Sequence, residues 1–408
     1  IGFFIQLYGG FFMLTSLALI FLCGLLLGSL FKKLRLPSLI GMLITGIILG
    51  PYVLNLLDES ILLIGPDLRE IALIIILTRA GLTLDLEDLK KVGRPAILMS
   101  FIPACFEIAA TIIFAPMLLK ITYLEATLLA TIIASASPAV IIPRMIHLIE
   151  NKYGTDKKIP QMILAGDSID DVFNIVLFTI ILGINMGTGV NTSLLITIPS
   201  SFILGVLLGL ITGFLLSYLF KKIHMRDTNK VIILLGVAFL FITIENGLKD
   251  YVAISGLLAT MVNGIVILKK RPVVAKRIST KFSKLWVGAE IILFVMVGAT
   301  VNINFATNYL WQAIVLLIII LFIRAIGILI CLINSSLNGK EKLFATLTGI
   351  PKATVQAAIG GIPLSMGLPS GEIILAISVI AILFTAPLGA FAIDQTYEIL
   401  LTKEEITN

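Results

Sequence analysis

Charge is scarce in this chain: Asp, Glu, Lys and Arg make up 13% of its 408 residues, against 58% hydrophobic ones. With a mean hydropathy of +1.10, that balance excludes a water-soluble domain. No polar stretch is long enough to fold separately. Cysteine is nearly absent, and Cys23, Cys105 and Cys331 all lie in apolar runs, which excludes a disulfide framework. The two histidines, His147 and His224, fall in loops and read as solvated positions. No nucleophile stands with a base, no metal-ligand cluster occurs, and no Gly-x-Gly-x-x-Gly is present. An enzyme or receptor is thereby a distant reading.

What the chain has is apolar length. Runs of about 20 residues, bounded by charged or Pro/Gly-rich breaks, recur about thirteen times, near 9–31, 36–55, 67–84, 95–118, 123–147, 159–185, 192–220, 229–246, 250–268, 284–302, 308–334, 342–365 and 371–396. The fold class is an all-α polytopic membrane protein. Residues 1–408 read as a single integral membrane unit. The first run lacks a basic n-region and a cleavage site, so it reads as a helix rather than a signal peptide.

Lys and Arg fall in alternate loops: Lys32, Lys33 and Arg35; Lys90, Lys91 and Arg94; Arg144 to Lys158; Lys221 to Lys230; the seven from Lys269 to Lys284; Lys340 and Lys342. The intervening loops carry only Arg69, Lys120 and Lys249. The positive-inside rule therefore predicts an outside N-terminus and a cytoplasmic C-terminus, with the plasma membrane as location. These clusters are short anchors without interleaved aromatics, which speaks against nucleic-acid binding. The bilayer is the expected surrounding.

Against that background the string Gly166-Asp167-Ser168-Ile169-Asp170-Asp171 stands out. It sits about eleven residues into an apolar helix, near the centre of a hydrocarbon layer about 30 Å thick. Charges there cost about 2.5–3.5 kcal/mol each even on lenient insertion scales, so the segment needs a use for them. Glu107, Glu290, Arg79, Arg324 and Lys352 are the other ions inside predicted spans. Opposite charges at matching depth are expected to pair.

An internal repeat says which ones. Leu36 to Gly46 resembles Val252 to Gly264, and Arg79-Ala-Gly-Leu-Thr-Leu-Asp85 matches Met296-Val-Gly-Ala-Thr-Val-Asn302, at an offset of about 217 residues. The same offset carries Glu107 onto Arg324, and Ser135-Ala-Ser-Pro138 onto Pro351-Lys-Ala-Thr354. An odd number of spans separates the copies, so they run through the membrane in opposite directions. Such inverted repeats place a site at the midplane where one helix of each copy is broken. Proline at both breaks removes an amide donor and frees carbonyl oxygens. Lys352 is suited to compensating the resulting helix ends.

Two adjacent buried carboxylates favour holding one proton or one cation. Hard oxygen donors suit Na+ or Li+, and Asp171, Asp170, Ser135, Ser137 and Thr354 can supply them. Asp167, one turn before the pair, and Glu290 are candidate pathway residues. A plainer reading makes Asp170 and Asp171 structural partners of Arg324 or Lys352, but one pair does not need so many acids at one depth. For Glu107 and Arg324 the structural pair is the favoured reading. Gly24-x-x-x-Gly28 and Gly205-x-x-x-Gly209-x-x-x-Gly213 permit close helix approach, within or between subunits.

The segments Ala134-Ser-Ala-Ser-Pro-Ala-Val-Ile-Ile-Pro143, Ala165-Gly-Asp-Ser-Ile-Asp-Asp171 and Pro351-Lys-Ala-Thr-Val-Gln-Ala-Ala-Ile-Gly360 resemble those of the NHA-type sodium/proton antiporters of the second monovalent cation:proton antiporter family. The resemblance spans about residues 30 to 395 and implies Na+ or Li+ exchange for H+ by elevator movement of a core domain against a dimerisation domain, without a cofactor, in a homodimer. It makes Asp171 the carrier, Asp170 its supporting partner, and Glu107 with Arg324 a buried ion pair. Related electrogenic members have lysine at Arg324; arginine does not release its proton, so a titrating basic residue there is disfavoured. Asp167 departs from the pattern, where a small residue usually stands. The core is expected at about 67–185 and 284–396, the dimerisation scaffold at 1–66 and 192–268. A potassium/proton exchanger on the same fold is the alternative.

Overall fold

The computed structural model describes residues 13–83, 93–185, 194–248 and 254–404. Asp85, Lys90, Lys91 and Lys249 lie outside the described residues. The described chain is helical throughout: α1 Met13–Lys33, α2 Ser38–Leu49, α3 Glu59–Leu63, α4 Gly65–Thr83, α5 Arg94–Met99, α6 Ile102–Leu119, α7 Tyr123–Ile133, α8 Pro138–Glu150, α9 Ile159–Asn185, α10 Leu194–Lys222, α11 Asp227–Leu248, α12 Gly256–Lys270, α13 Pro272–Thr300, α14 Ile303–Asn308, α15 Leu310–Cys331, α16 Gly339–Leu347, α17 Thr354–Ile359, α18 Ile362–Ser365 and α19 Gly371–Leu400.

Among the described residues, every predicted span overlaps a helix or a broken helix. Among the described residues, eight segments are long and apolar enough to cross a membrane. α9 has 27 residues, enough for about 40 Å at 1.5 Å per residue, and differs from those eight in carrying Asp167, Asp170 and Asp171. The two broken spans, α7–α8 and α16–α17, both start from a capping box. Thr122 and Glu125 bond reciprocally at one, Asn338 and Glu341 at the other. Each box satisfies orphan amides of a first turn, and the two lie at corresponding places of the inverted repeats.

Three expectations are corrected. The basic stretch after Lys269 is not a loop: Pro272 opens α13, and Lys276, Arg277, Lys281 and Lys284 ride on its first turns, since proline is favoured at a helix start. The span predicted to 55 ends at Leu49, because the residue before Pro51 disfavours helix. Arg69, expected in an outer loop, lies within α4 and is 3% exposed.

Packing divides the helices into two groups. α13 packs on α2 and α4, α12 packs on α4 and α10, and α1 lies on α2. The other group joins α5 to α9 with α15 to α19, through α6 on α15, α7 on α6 and α9, and α19 on α16 and α15. α4 and α13, which cover most of 67–84 and 284–302, thus pack chiefly with each other, α2 and α12, and touch the other group at α17. An apolar run has no sign of which neighbour it will meet; here Gly81 lets the backbone of α4 touch that of α12 at Met261 and Gly264.

The glycine stripes are used inside the subunit. A Cβ on Gly205, Gly209 or Gly213 would lie 2.6–2.7 Å from Ser255, Ala259 or Val266. Gly24 is similarly filled by Ile291 of α13, and Gly28 by Met42 of α2.

Candidate functional site: a buried charge network beside a cavity

The two helix breaks meet at the centre of the molecule. α7 stops at Ile133 and α8 resumes at Pro138; in the other repeat α16 stops at Leu347 and helix resumes at Thr354. Between them the Ser137 amide donates to the Pro351 carbonyl at 2.8 Å. Carbonyls at a helix end have no intrahelical partner, and here side chains from the opposite repeat supply one. The Gln356 amide donates to Ile132 O and Ser135 O, each at 3.0 Å. Arg324 donates to Ala134 O.

Arg324 also organises the charges. Its Nη1 donates to Glu107 Oε2 at 3.0 Å and its Nη2 to Asp170 Oδ2 at 2.9 Å. Glu107 in turn holds Lys352 Nζ, 2.7 Å from Oε1. Asp170 accepts further bonds from the Ala136 amide at 3.0 Å and from Asn174 at 3.2 Å. Glu107, Asp170 and Lys352 are 0% exposed and Arg324 is 2%. Two positive and two negative charges balance, the condition under which ions persist at such depth.

Asp171 is directed elsewhere, because adjacent residues on an α-helix are turned by about 100°. Its Oδ1 accepts from the Ser135 hydroxyl. It is half-buried and lines a cavity of about 560 Å³ lying between the two packing groups. Arg79, Trp286 and Glu290 form the wall on one side, Pro138, Asp171 and Thr354 the wall on the other. The lining reaches Ser38, the first residue of α2 after the basic Lys32–Arg35 turn, so the cavity leads to Asp171 from the basic side of the molecule.

The predicted residues are therefore brought to one region but not to one site. Asp171, Ser135 and Thr354 gather at the cavity end; the Ser137 hydroxyl stands 3.4 Å from that of Thr354. Asp170, expected as the supporting partner of Asp171, lies in the network with Glu107, Arg324 and Lys352. Glu290 lies in the cavity wall, and so does Arg79. Asp167 does not line the cavity: it is 8% exposed, and Met99 of α5 lies 3.0 Å from where a Cβ on the neighbouring Gly166 would be. Gln356, Asn174 and Thr385, which accepts the Lys352 amide at 2.9 Å, were not singled out. The signal for Gln356 was its place in the string Pro351 to Gln356, and for Asn174 its spacing of four from Asp170, one helical turn.

The comparisons with known proteins agree with this architecture. Residues 17–396 match the family model described as sodium/hydrogen exchanger, transmembrane. Sodium/hydrogen exchanger 9B2 of Mus musculus is 28% identical, over 96% of this chain and 74% of that protein. Sodium/hydrogen exchanger 9B1 of Homo sapiens is 27% identical, over 96% and 78% respectively. In fold the chain is similar to the sodium proton antiporter MjNhaP1 of Methanocaldococcus jannaschii, with a TM-score of 0.78 over 95% of this chain and 98% of that one at 20% identity. A multi-helix membrane transporter rather than an enzyme, this chain belongs to the sodium/hydrogen exchanger family.

Proposed function

We propose that the chain exchanges Na+ or Li+ for H+ and that Asp171 carries each in turn. The observation behind this reading is that Asp171 alone of the three α9 carboxylates lines the cavity, while Asp170 is neutralised by Arg324. A carboxylate beside hydroxyl and carbonyl oxygens offers hard donors to a small cation, and a proton at the same oxygen excludes it. Competition for one carboxylate is sufficient for antiport. Thr354, on the same wall, and Ser135, bonded to Asp171, are the further oxygen donors we assign to the bound ion. Asp170, Glu107, Arg324 and Lys352 hold the crossed breaks in place.

The two packing groups support an elevator in which α5–α9 with α15–α19 move against α1–α4 with α10–α13, because the cavity that reaches Asp171 lies between them. Within the family, the strings around Ser135, Asp171 and Lys352 favour the NHA-type branch of the second monovalent cation:proton antiporter family. We infer that the basic side faces the cytoplasm of a plasma-membrane protein. A homodimer is the assembly the resemblance favours; with the glycine stripes filled internally, it would use exposed apolar side chains such as Leu22 and Leu26 on α1 or Ile211 and Leu215 on α10.

The test is ion flux in proteoliposomes with Na+, Li+ and K+ compared. Proton movement driven by Na+ or Li+ gradients is expected. A response to K+ alone would select the potassium/proton exchanger instead.

A further inference from the structure

A crevice of about 230 Å³ opens between α15 and α16, bounded by Phe322, Ala325, Ile328, Leu347 and Gly349, with Arg324 at its floor. Phe322 is 68% exposed, so the mouth faces the hydrocarbon rather than the transport cavity. Arg324 commits its two Nη atoms to Glu107, Ala134 and Asp170. Its Nε is buried and has no hydrogen-bond partner among the described residues. Gly349 packs beside that atom: a Cβ there would lie 3.3 Å from Nε and 2.4 Å from Ile328 Cδ1.

A buried donor of a charged group without an acceptor is unfavourable. Beside Nε, a water would meet Thr346 O, which lies 3.4 Å from the same Gly349 Cβ position, and the rest of the wall is largely apolar. Besides Arg324, the side chain with a polar atom in this wall is Thr346, whose hydroxyl already donates to Lys342 O at 2.8 Å. An anionic ligand is disfavoured, because Arg324 and Lys352 are already balanced by Glu107 and Asp170. What fits is one neutral acceptor oxygen on an apolar body. At interior packing density the volume takes about ten non-hydrogen atoms.

We propose that this crevice is a lipid-side binding site for a neutral amphiphile of that size, such as a medium-chain alcohol, its oxygen accepting from Arg324 Nε. The site shares no lining residue with the cavity that reaches Asp171.

The probe is an octanol bearing a diazirine, photolysed with the full-length protein in lipid nanodiscs and mapped by mass spectrometry. Labelling is expected to concentrate in 321–328 and 346–350, to be competed by plain octanol, and to exceed that by a diazirine-bearing octane about fivefold. Ala325→Phe, which fills the mouth from the lipid side, should reduce it by a similar factor. Ala325→Leu serves where the larger change impairs folding. Equal labelling by octane and octanol, labelling no stronger than on the exposed face of α1, or labelling indifferent to both substitutions would overturn the proposal. None of these outcomes depends on which ion is transported.

Discussion

Glu107 and Arg324 stand 217 residues apart in the sequence and 3.0 Å apart in space. They occupy the same position of the two inverted repeats, as do Ser137 and Thr354, also 217 residues apart and 3.4 Å from each other. Residues near a pseudo-twofold axis meet their own counterparts, so both pairs mark where that axis runs. At one of them the repeats have become complementary in charge, an acid in one copy and a base in the other. The ion pair thus binds the two halves at the point where their broken helices cross.

Asp171→Asn is expected to abolish cation-coupled proton movement in proteoliposomes while leaving the protein folded. The amide preserves shape and can still pair with Ser135, but it neither takes up a proton nor carries the countercharge of a cation. Robust exchange by the purified variant would remove Asp171 from the mechanism.

If Na+ and H+ compete for Asp171, the half-saturating Na+ concentration should rise about tenfold for each unit that pH falls below the site's pKa, and level off above it. The sign follows from protonation removing the binding-competent carboxylate. Initial rates across about pH 6 to 9 with the potential clamped measure it, and a constant half-saturating concentration would mean separate sites.

Arg324→Ala should act on stability before it acts on rate. It leaves Glu107 with Lys352 alone and Asp170 without a cation, and removing one partner of a buried pair costs about 3–5 kcal/mol. A much lowered unfolding temperature in detergent, with substantial turnover per surviving molecule, is expected. An inactive variant as stable as the parent would make Arg324 mechanistic.

Asp170→Asn and Asp171→Asn should separate on the same two measurements. Asp170 accepts from Arg324, Ala136 and Asn174, so its neutralisation leaves Arg324 undercompensated and lowers the unfolding temperature. Asp171, bonded to Ser135 and open to the cavity, should give a parent-like melt. Equal melting of the two variants would mean that the aspartates share one environment after all.

Gln356→Leu withdraws the donor from two carbonyls at the break, Ile132 and Ser135. Each buried acceptor left unpaired costs about 1–3 kcal/mol. Lower stability and a weaker apparent Na+ affinity are expected together, because the same bonds hold the segment that carries Ser135 against Asp171.

The spans and both breaks were legible because each is written in a local pattern: apolar length for the first, proline with small polar residues in an apolar run for the second. Charges inside those runs were legible because a lone ion in hydrocarbon is costly, so a mid-span carboxylate has few uses. Even the Glu107 and Arg324 pair could be read, through the repeat offset rather than through contact. Gln356 and Asn174 carried only the weak signals of a place in a string and a spacing of one turn, since uncharged amides are tolerated in a span for many reasons.

By itself, then, the sequence determined the membrane class, the inverted repeat, the depth of the charges and the candidates for the ion site, all of which follow from residue order along single helices. The tertiary structure decided which neighbour each helix face meets. It sent Asp170 to Arg324 and Asp171 to the cavity, although the two are adjacent and identical in kind, because about 100° of helical rotation gives them different surroundings. It buried Asp167, set α4 and α13 beside α12 and α2, and filled the glycine stripes from within. Those outcomes depend on helix rotation and on which helices pack together, and no single helix encodes its own neighbours.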